Sequence, residues 1–169
     1  CQSRHHAHAG FTLIELLVAI ALLVIMATWA VPSYQQFVAR NEVAVEVMRI
    51  RTALALARNT AIARRTTVTV CPSEDLKTCS SSWTAPLAIL QGDGKEPFSV
   101  DSLLRVMKSS NLKSITYRKD NQPVIYGSLG RSVGHNGTFR ICGRSGKGAK
   151  VIVSNFGRVR VEDMRPVEC

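Results

Sequence analysis

Hydrophobic and polar positions change their period twice along this chain. Residues 11–31, FTLIELLVAIALLVIMATWAV, are apolar almost without interruption, and Glu15 is their single charge. With ~1.5 Å of rise per residue, that run is long enough to cross the core of a bilayer as a helix. Beyond Pro32, the residues Val43, Val47, Ile50, Leu54, Ala57 and Ala61 recur at spacings of three and four, one face of an amphipathic helix. Arg40, Arg49, Arg51, Arg58 and Arg64 lie mostly off that stripe, opposed only by Glu42 and Glu46. The pattern predicts a single helix from about residue 11 to about residue 64. Pro32 should bend it rather than end it, because the preceding segment sits in lipid, where helix is retained.

From Thr66 the period shortens to that of strands. Thr66-Thr67-Val68-Thr69-Val70 is β-branched throughout and ends at Cys71-Pro72. Further short runs occupy 83–90, 114–118, 124–127, 137–142, 150–154 and 158–161, separated by turns such as Gln91-Gly92-Asp93-Gly94 and His135-Asn136-Gly137. Strands this closely spaced pair mainly antiparallel and have one face to bury. The helix stripe supplies the other layer. The predicted fold is therefore α+β, with a long N-terminal helix packed on a mainly antiparallel β-sheet.

The leader CQSRHHAHAG precedes the apolar run. In a secretory signal the apolar stretch is shorter and the small-residue cleavage site follows it. Here Gly10 comes first, so cleavage after it would leave the helix on the mature chain. Glu15 would be costly in lipid. It is either solvated at the interface or paired with a positive group, such as the N-terminal amine of a neighbouring subunit.

Gly10-Phe11-Thr12-Leu13-Ile14-Glu15 resembles the prepilin-peptidase signature of type IV pilins and type II secretion pseudopilins. Pro32 falls where many pilins carry a helix-kinking proline. The resemblance implies that Gly10 is the last leader residue, Phe11 the N-methylated first mature residue and Glu15 an assembly residue. It also implies insertion in the bacterial inner membrane as a single-pass protein with a periplasmic domain. Prepilin peptidase then cleaves the leader, and the helix packs with other pilin subunits in a pilus that reaches the cell surface. Four segments follow: a leader at 1–10, a transmembrane and filament-core helix at 11–32, its amphipathic half at 33–65, and a β-rich globular domain at 66–169. A plain single-pass membrane protein would not account for the order of glycine, phenylalanine and glutamate.

Charge sharpens this picture. The chain has 169 residues, enough for one domain with an appendage, and carries 22 Lys+Arg against 12 Asp+Glu, a net +10. Such an excess makes nucleic acid, acidic lipid headgroups and acidic proteins candidate partners. Leader and membrane helix hold only Arg4 and Glu15 of these charges, so the whole excess lies in the exported part. That weakens the lipid reading. Residues 131–160 contain seven basic residues (Arg131, Arg140, Arg144, Lys147, Lys150, Arg158 and Arg160) and no acid.

With Cys1 leaving in the leader, Cys71, Cys79, Cys142 and Cys169 remain. An even number in an exported domain suggests two disulfides, for which three connectivities are possible. The favoured pairing joins Cys71 to Cys79 across a short loop and Cys142 to Cys169. Zinc is poorly supported, because there is no C-x-x-C and His135 is the sole histidine outside the leader. Neither a carboxylate pair nor a Ser/His/Asp or Cys/His arrangement suggests an enzyme, and no cofactor is indicated.

The stretch Ala61 to Ser73, a second cysteine at 79, Trp83 and the closing Gly157-Arg158-Val159-Arg160-Val161 resemble the GspH/FimT group of minor pilins and pseudopilins. Within it, a terminal Gly-Arg-x-Arg element is similar to FimT-type minor pilins, which bind DNA during natural transformation. Period-two geometry places Arg158 and Arg160 on one strand face with Val159 and Val161 inward, the guanidinia roughly 7 Å apart and matched to adjacent phosphates. Lys147, Lys150, Arg140 and Arg144 would support them, around the donor-rich turn at 143–150. Phe139 and Phe156 are the only aromatics in this region, which argues against base stacking. The expectation is phosphate-dominated, sequence-independent binding of double-stranded DNA. The competing expectation is a structural minor pilin or type II secretion pseudopilin that primes or caps assembly, its basic strand edge serving only to limit aggregation.

Overall fold

Capping chemistry fixes both ends of the helix α1 (Leu13–Arg64). Thr12 accepts from the Glu15 amide at 3.3 Å through its hydroxyl, so Thr-x-x-Glu opens the helix as half of a capping box. At the other end Arg65 adopts a left-handed φ of 50°, while Thr66 N donates to Ala61 O at 3.1 Å and Arg65 N to Ile62 O at 3.3 Å. That is the Schellman arrangement, with arginine in the position glycine usually holds. Pro32 lies inside α1, and the helix continues past it.

The computed structural model describes residues 12–94, 97–118, 122–164 and 169. Two units meet between Phe37 and Val38. In the first, every described side chain is exposed, including Leu17, Leu22, Ile25 and Trp29. The helix there is long and apolar enough to cross a membrane.

The second unit begins on the amphipathic part of α1. It continues through β1 (Val68–Pro72), β2 (Leu87–Gln91), β3 (Leu103–Met107), β4 (Ser114–Thr116), β5 (Val124–Tyr126), β6 (Gly137–Cys142), β7 (Gly148–Val153) and β8 (Val159–Met164). The strands form two four-stranded sheets, in the orders β3-β2-β1-β5 and β4-β6-β7-β8, and every pairing is antiparallel. The α+β class thus holds, but two sheets stand where the strand pattern suggested one. β3 has no predicted counterpart, because its residues are half-buried or exposed and LLRVM does not alternate cleanly. Residues 83–86, read as the start of a strand, form a turn in which Ala85 N donates to Ser82 O at 3.0 Å.

Val43, Val47, Ile50, Leu54, Ala57 and Ala61 are all buried in one core with residues of both sheets. Ala53, Leu54, Ala57 and Ala61 retain no exposure at all. That core includes an aromatic trio. Trp83 sets its ring edge-on to Tyr117 at 5.2 Å and to Phe139 at 4.7 Å, and those two rings stack at 4.1 Å. β1 is buried along its whole length. Val68 and Val70 join the main core, whereas Cys71 on the other face packs with Ala88, Leu90 and Phe98.

That second face is closed by a short loop tied by the Cys71–Cys79 disulfide. Asp75 organises it, accepting from Lys77 N at 2.9 Å, Thr78 N at 2.8 Å, Thr78 Oγ1 at 2.9 Å and Ser73 Oγ at 3.2 Å. The two backbone donors are the main reason its carboxyl is held down to about 2 from the ordinary 3.8. With the folded pKa depressed, the order this carboxylate contributes is complete above 3.8 and is lost as pH falls through 2. The Lys77 and Thr78 amide proton shifts should therefore titrate with a midpoint near 2, and Asp75→Asn should abolish that titration. Flat shifts down to pH 1.5 (roughly the end of that window) would contradict this role.

Candidate nucleic-acid interface

The β7–β8 turn is built by its own backbone and by the helix behind it. Gly157 N donates to Ser154 O at 2.8 Å, Ser154 N to Arg158 O at 3.0 Å and Arg158 N to Ser154 Oγ at 3.1 Å. Gly157 has φ +74°, and a Cβ there would come within 2.0 Å of Gly130 O, a backbone atom that cannot step aside. The glycine of Gly-Arg-x-Arg is thus a packing requirement. The neighbouring loop is joined to the turn where Ser132 N donates to Asn155 O at 3.0 Å.

Arg58 of α1 binds both segments. Its Nε donates to Gly130 O at 3.2 Å and its Nη2 to Phe156 O at 3.3 Å. Tyr126 lies beneath the glycine, and burial pushes its hydroxyl up to about 12 against the pull of the Arg58 charge. Arg49 plays a matching part elsewhere on α1. It pairs with buried Glu46 and donates to Trp83 O at 3.0 Å and Lys108 O at 2.9 Å. Two arginines that looked like solvent-facing charges are loop clamps.

The six predicted DNA-contact residues fall into two groups. Arg140, Lys150 and Arg160 share the outward face of the second sheet, and exposed Arg158 precedes β8 at the turn. Across that face Lys150 stands opposite both Arg140 and Glu162, so an acid enters the row just beyond the acid-free stretch. Arg144 and Lys147 lie in the β6–β7 turn, at the other end of the hairpin. The six residues of β7 separate the two turns by roughly 20 Å. Arg144 sits 3.7 Å from half-buried Glu42 of α1, and because the arginine itself faces solvent the pairing contributes at most about 1 kcal/mol. Lys147 borders a groove beside α1 with Arg40, Val47 and Met48. Val159 packs on the core as an inward valine should, but Val161 stays 39% exposed because β8 is the sheet edge.

Three residues around this turn that the sequence shows only as an off-stripe charge, a basic residue and an isolated aromatic have a place here that their pattern does not reveal. Phe156 is 65% exposed, whereas Phe139 is fully buried. The Arg131 guanidinium stands 5.5 Å from the Phe156 ring centroid. Arg58 could have been suspected only from its position off the apolar stripe. A cleft of about 380 Å³ is lined by Ser154, Phe156, Arg158, Val159 and Arg160.

Elsewhere, Gly10 and Phe11 lie outside the described residues. Glu15 occupies the exposed first turn of α1, where a carboxylate gains about 0.3–1 kcal/mol from the helix dipole. Cys71 is joined to Cys79 and Cys142 to Cys169. His135 has Nδ1 3.1 Å from Pro123 O. No cluster of three or more His, Cys, Asp or Glu able to hold a metal occurs among the described residues.

A long apolar-to-amphipathic helix packed on antiparallel sheets, opened by a prepilin-type motif, defines a pilin-class protein. Residues 46–157 match the family described as Type II transport protein GspH, and residues 5–31 match the Prokaryotic N-terminal methylation motif. The first match spans more than half of the chain, which belongs to the GspH family, among the minor pilins and pseudopilins. The crystal structure of the type IV minor pilin FimU of Pseudomonas aeruginosa has the same fold, with a TM-score of 0.58 and 23% identity over 75% of this chain and 92% of that one. A second crystal form of FimU gives 0.51 and 22%, covering 75% and 91%. The Type IV major fimbrial protein FimA of Dichelobacter nodosus is 44% identical over 48 residues, 27% of this chain and 31% of FimA. The chain thus spans about a third of the length of the curated relatives it matches. The motif and the apolar helix fit a pilin anchored in the inner membrane.

The packing at Gly157 makes a sharp comparison possible. Gly134 has a similar φ of +77° but open space around its Cβ position. Gly134→Ala should cost only the left-handed strain, ~1–2 kcal/mol, whereas Gly157→Ala adds a backbone collision. Calorimetry of the full chain in detergent should show the lower Tm for Gly157→Ala. Equal Tm values would contradict the close approach.

Proposed function

We propose that this chain is a FimT-type minor pilin that captures double-stranded DNA through the β7–β8 turn, as part of a type IV pilus serving uptake in natural transformation. The observation that carries this reading is the presentation of Arg158 and Arg160 on and beside a hydrogen-bonded turn. Both are exposed, neither is paired with a carboxylate among the described residues, and the turn before them is clamped by Arg58. A backbone already held under the two side chains lowers the ordering cost of meeting phosphates. Arg140 and Lys150 extend the contact across the sheet, while Arg144 and Lys147 at the far turn can reach only a longer duplex.

The rest of the proposal follows the pilin pattern. Prepilin peptidase cleaves after Gly10 and Phe11 is N-methylated. Glu15 guides assembly with other pilin subunits, and the inner membrane holds the helix beforehand. The alternative, a structural minor pilin or pseudopilin without DNA binding, draws on the secretion-system description of the matched family.

Anisotropy titrations of the full chain in detergent with unrelated duplexes separate the two. Each phosphate contact contributes about 0.9 to the slope of log K against log[salt], so replacing Arg158 and Arg160 together by Gln should reduce that slope by about 2. Arg144→Gln should change affinity far less. Unchanged binding by the double variant would discard this site. Absence of binding at low salt would leave the structural alternative.

A further inference from the structure

We infer that the cleft beside Arg158 holds an unpaired nucleobase, so that the preferred DNA carries a single-stranded stretch or a frayed end. This rests on the DNA-binding reading above: it keeps the duplex phosphate contact and adds one stacked base beside it, against the expectation from the few aromatics that stacking plays no part. Four observations converge. Phe156 is 65% exposed although it sits in a turn pinned at its own carbonyl by Arg58. The ring is one wall of a cleft of about 380 Å³, within the ~300–1,000 Å³ usual for small organic ligands. The other walls are Ser154, Val159 and the two arginines of the phosphate track. Arg131, which is not a wall of the cleft, stands over the ring at 5.5 Å and steadies its orientation.

The chemistry of these walls is mixed in a telling way. A site for phosphates alone needs cations and backbone donors, and an exposed phenylalanine adds nothing to it. A site for a nucleotide needs a flat apolar face for the base with cations close by for the flanking phosphates. Arg158 and Arg160, about two residues apart on an extended segment, fit the phosphates on either side of a base set against Phe156. Bases inside a duplex present only their edges in the grooves and cannot offer a face to the ring. An unpaired base can. Stacking of this kind is indifferent to which base it is, so binding stays sequence-tolerant.

The test uses the full chain in detergent and three probes: an oligothymidine of about twelve nucleotides, an abasic strand of the same length and charge, and a blunt duplex. The wild-type chain should bind oligothymidine about tenfold more tightly than the abasic strand. Phe156→Ala should erase that difference and leave duplex affinity unchanged, and its truncated side chain lies outside the core. Phe156→Trp should preserve the preference, with an indole fluorescence quenched by oligothymidine and not by the abasic strand. Equal wild-type affinity for the two strands would overturn the inference, as would a loss on Phe156→Ala that is the same for all three probes. In either case, weakening of every probe by the paired Arg158→Gln and Arg160→Gln changes would leave the DNA-binding reading standing. Failure of all three probes to bind at low salt would overturn both.

Discussion

The close seating of α1 against two sheets is the constraint from which the rest of the second unit follows. Ala53, Ala57 and Ala61 recur every four residues on one helix face and are wholly buried. Their small side chains keep the helix axis near the strands. Arginines at the margins of that face can then reach loop carbonyls directly. Arg49 takes those of Trp83 and Lys108, and Arg58 those of Gly130 and Phe156. The bonds to Trp83 O and Gly130 O are half-buried and those to Lys108 O and Phe156 O are exposed, and all four tie loops to the helix where the chain turns and no strand pairs.

The same clamp shapes the candidate site. Arg158 and Arg160 would be two more surface charges if their turn were loose. Gly157 fits against Gly130 O with Tyr126 close by, and Arg58 holds the carbonyls of Gly130 and Phe156. The basic face is therefore uneven in quality. At its Arg158 end the turn is held by hydrogen bonds and Arg158 has no paired acid among the described residues, while the Arg144 end is engaged with Glu42 and the helix groove.

Much of the fold was legible because it depends on short-range periodicity. The stripe from Val43 to Ala61 and the strand at 137–142 could be read directly, since burial repeats with the backbone period. The division into two sheets could not. It depends on β5 pairing with β1 rather than with its neighbours in sequence, which no local pattern encodes. For the candidate site, the basic residues were visible as a run without acids, but their grouping was not. Hairpin geometry sends Arg144 and Arg158 to opposite ends of β7. Arg58 and Phe156 were visible as residues, but their places at the site were not, for different reasons. One acts on carbonyls some seventy and a hundred residues away in sequence, and the other resembles any apolar residue until its exposure is known.

The central claim is that DNA meets the clamped end of the second sheet. Backbone amide shift mapping of the isotope-labelled full chain in detergent, titrated with a short duplex, tests it most directly. The largest changes should fall on residues 154–160, with smaller ones at Arg131, Ser132 and Lys150, while residues 143–147 move little. Changes concentrated on 143–147, or spread evenly over all basic residues, would contradict the account.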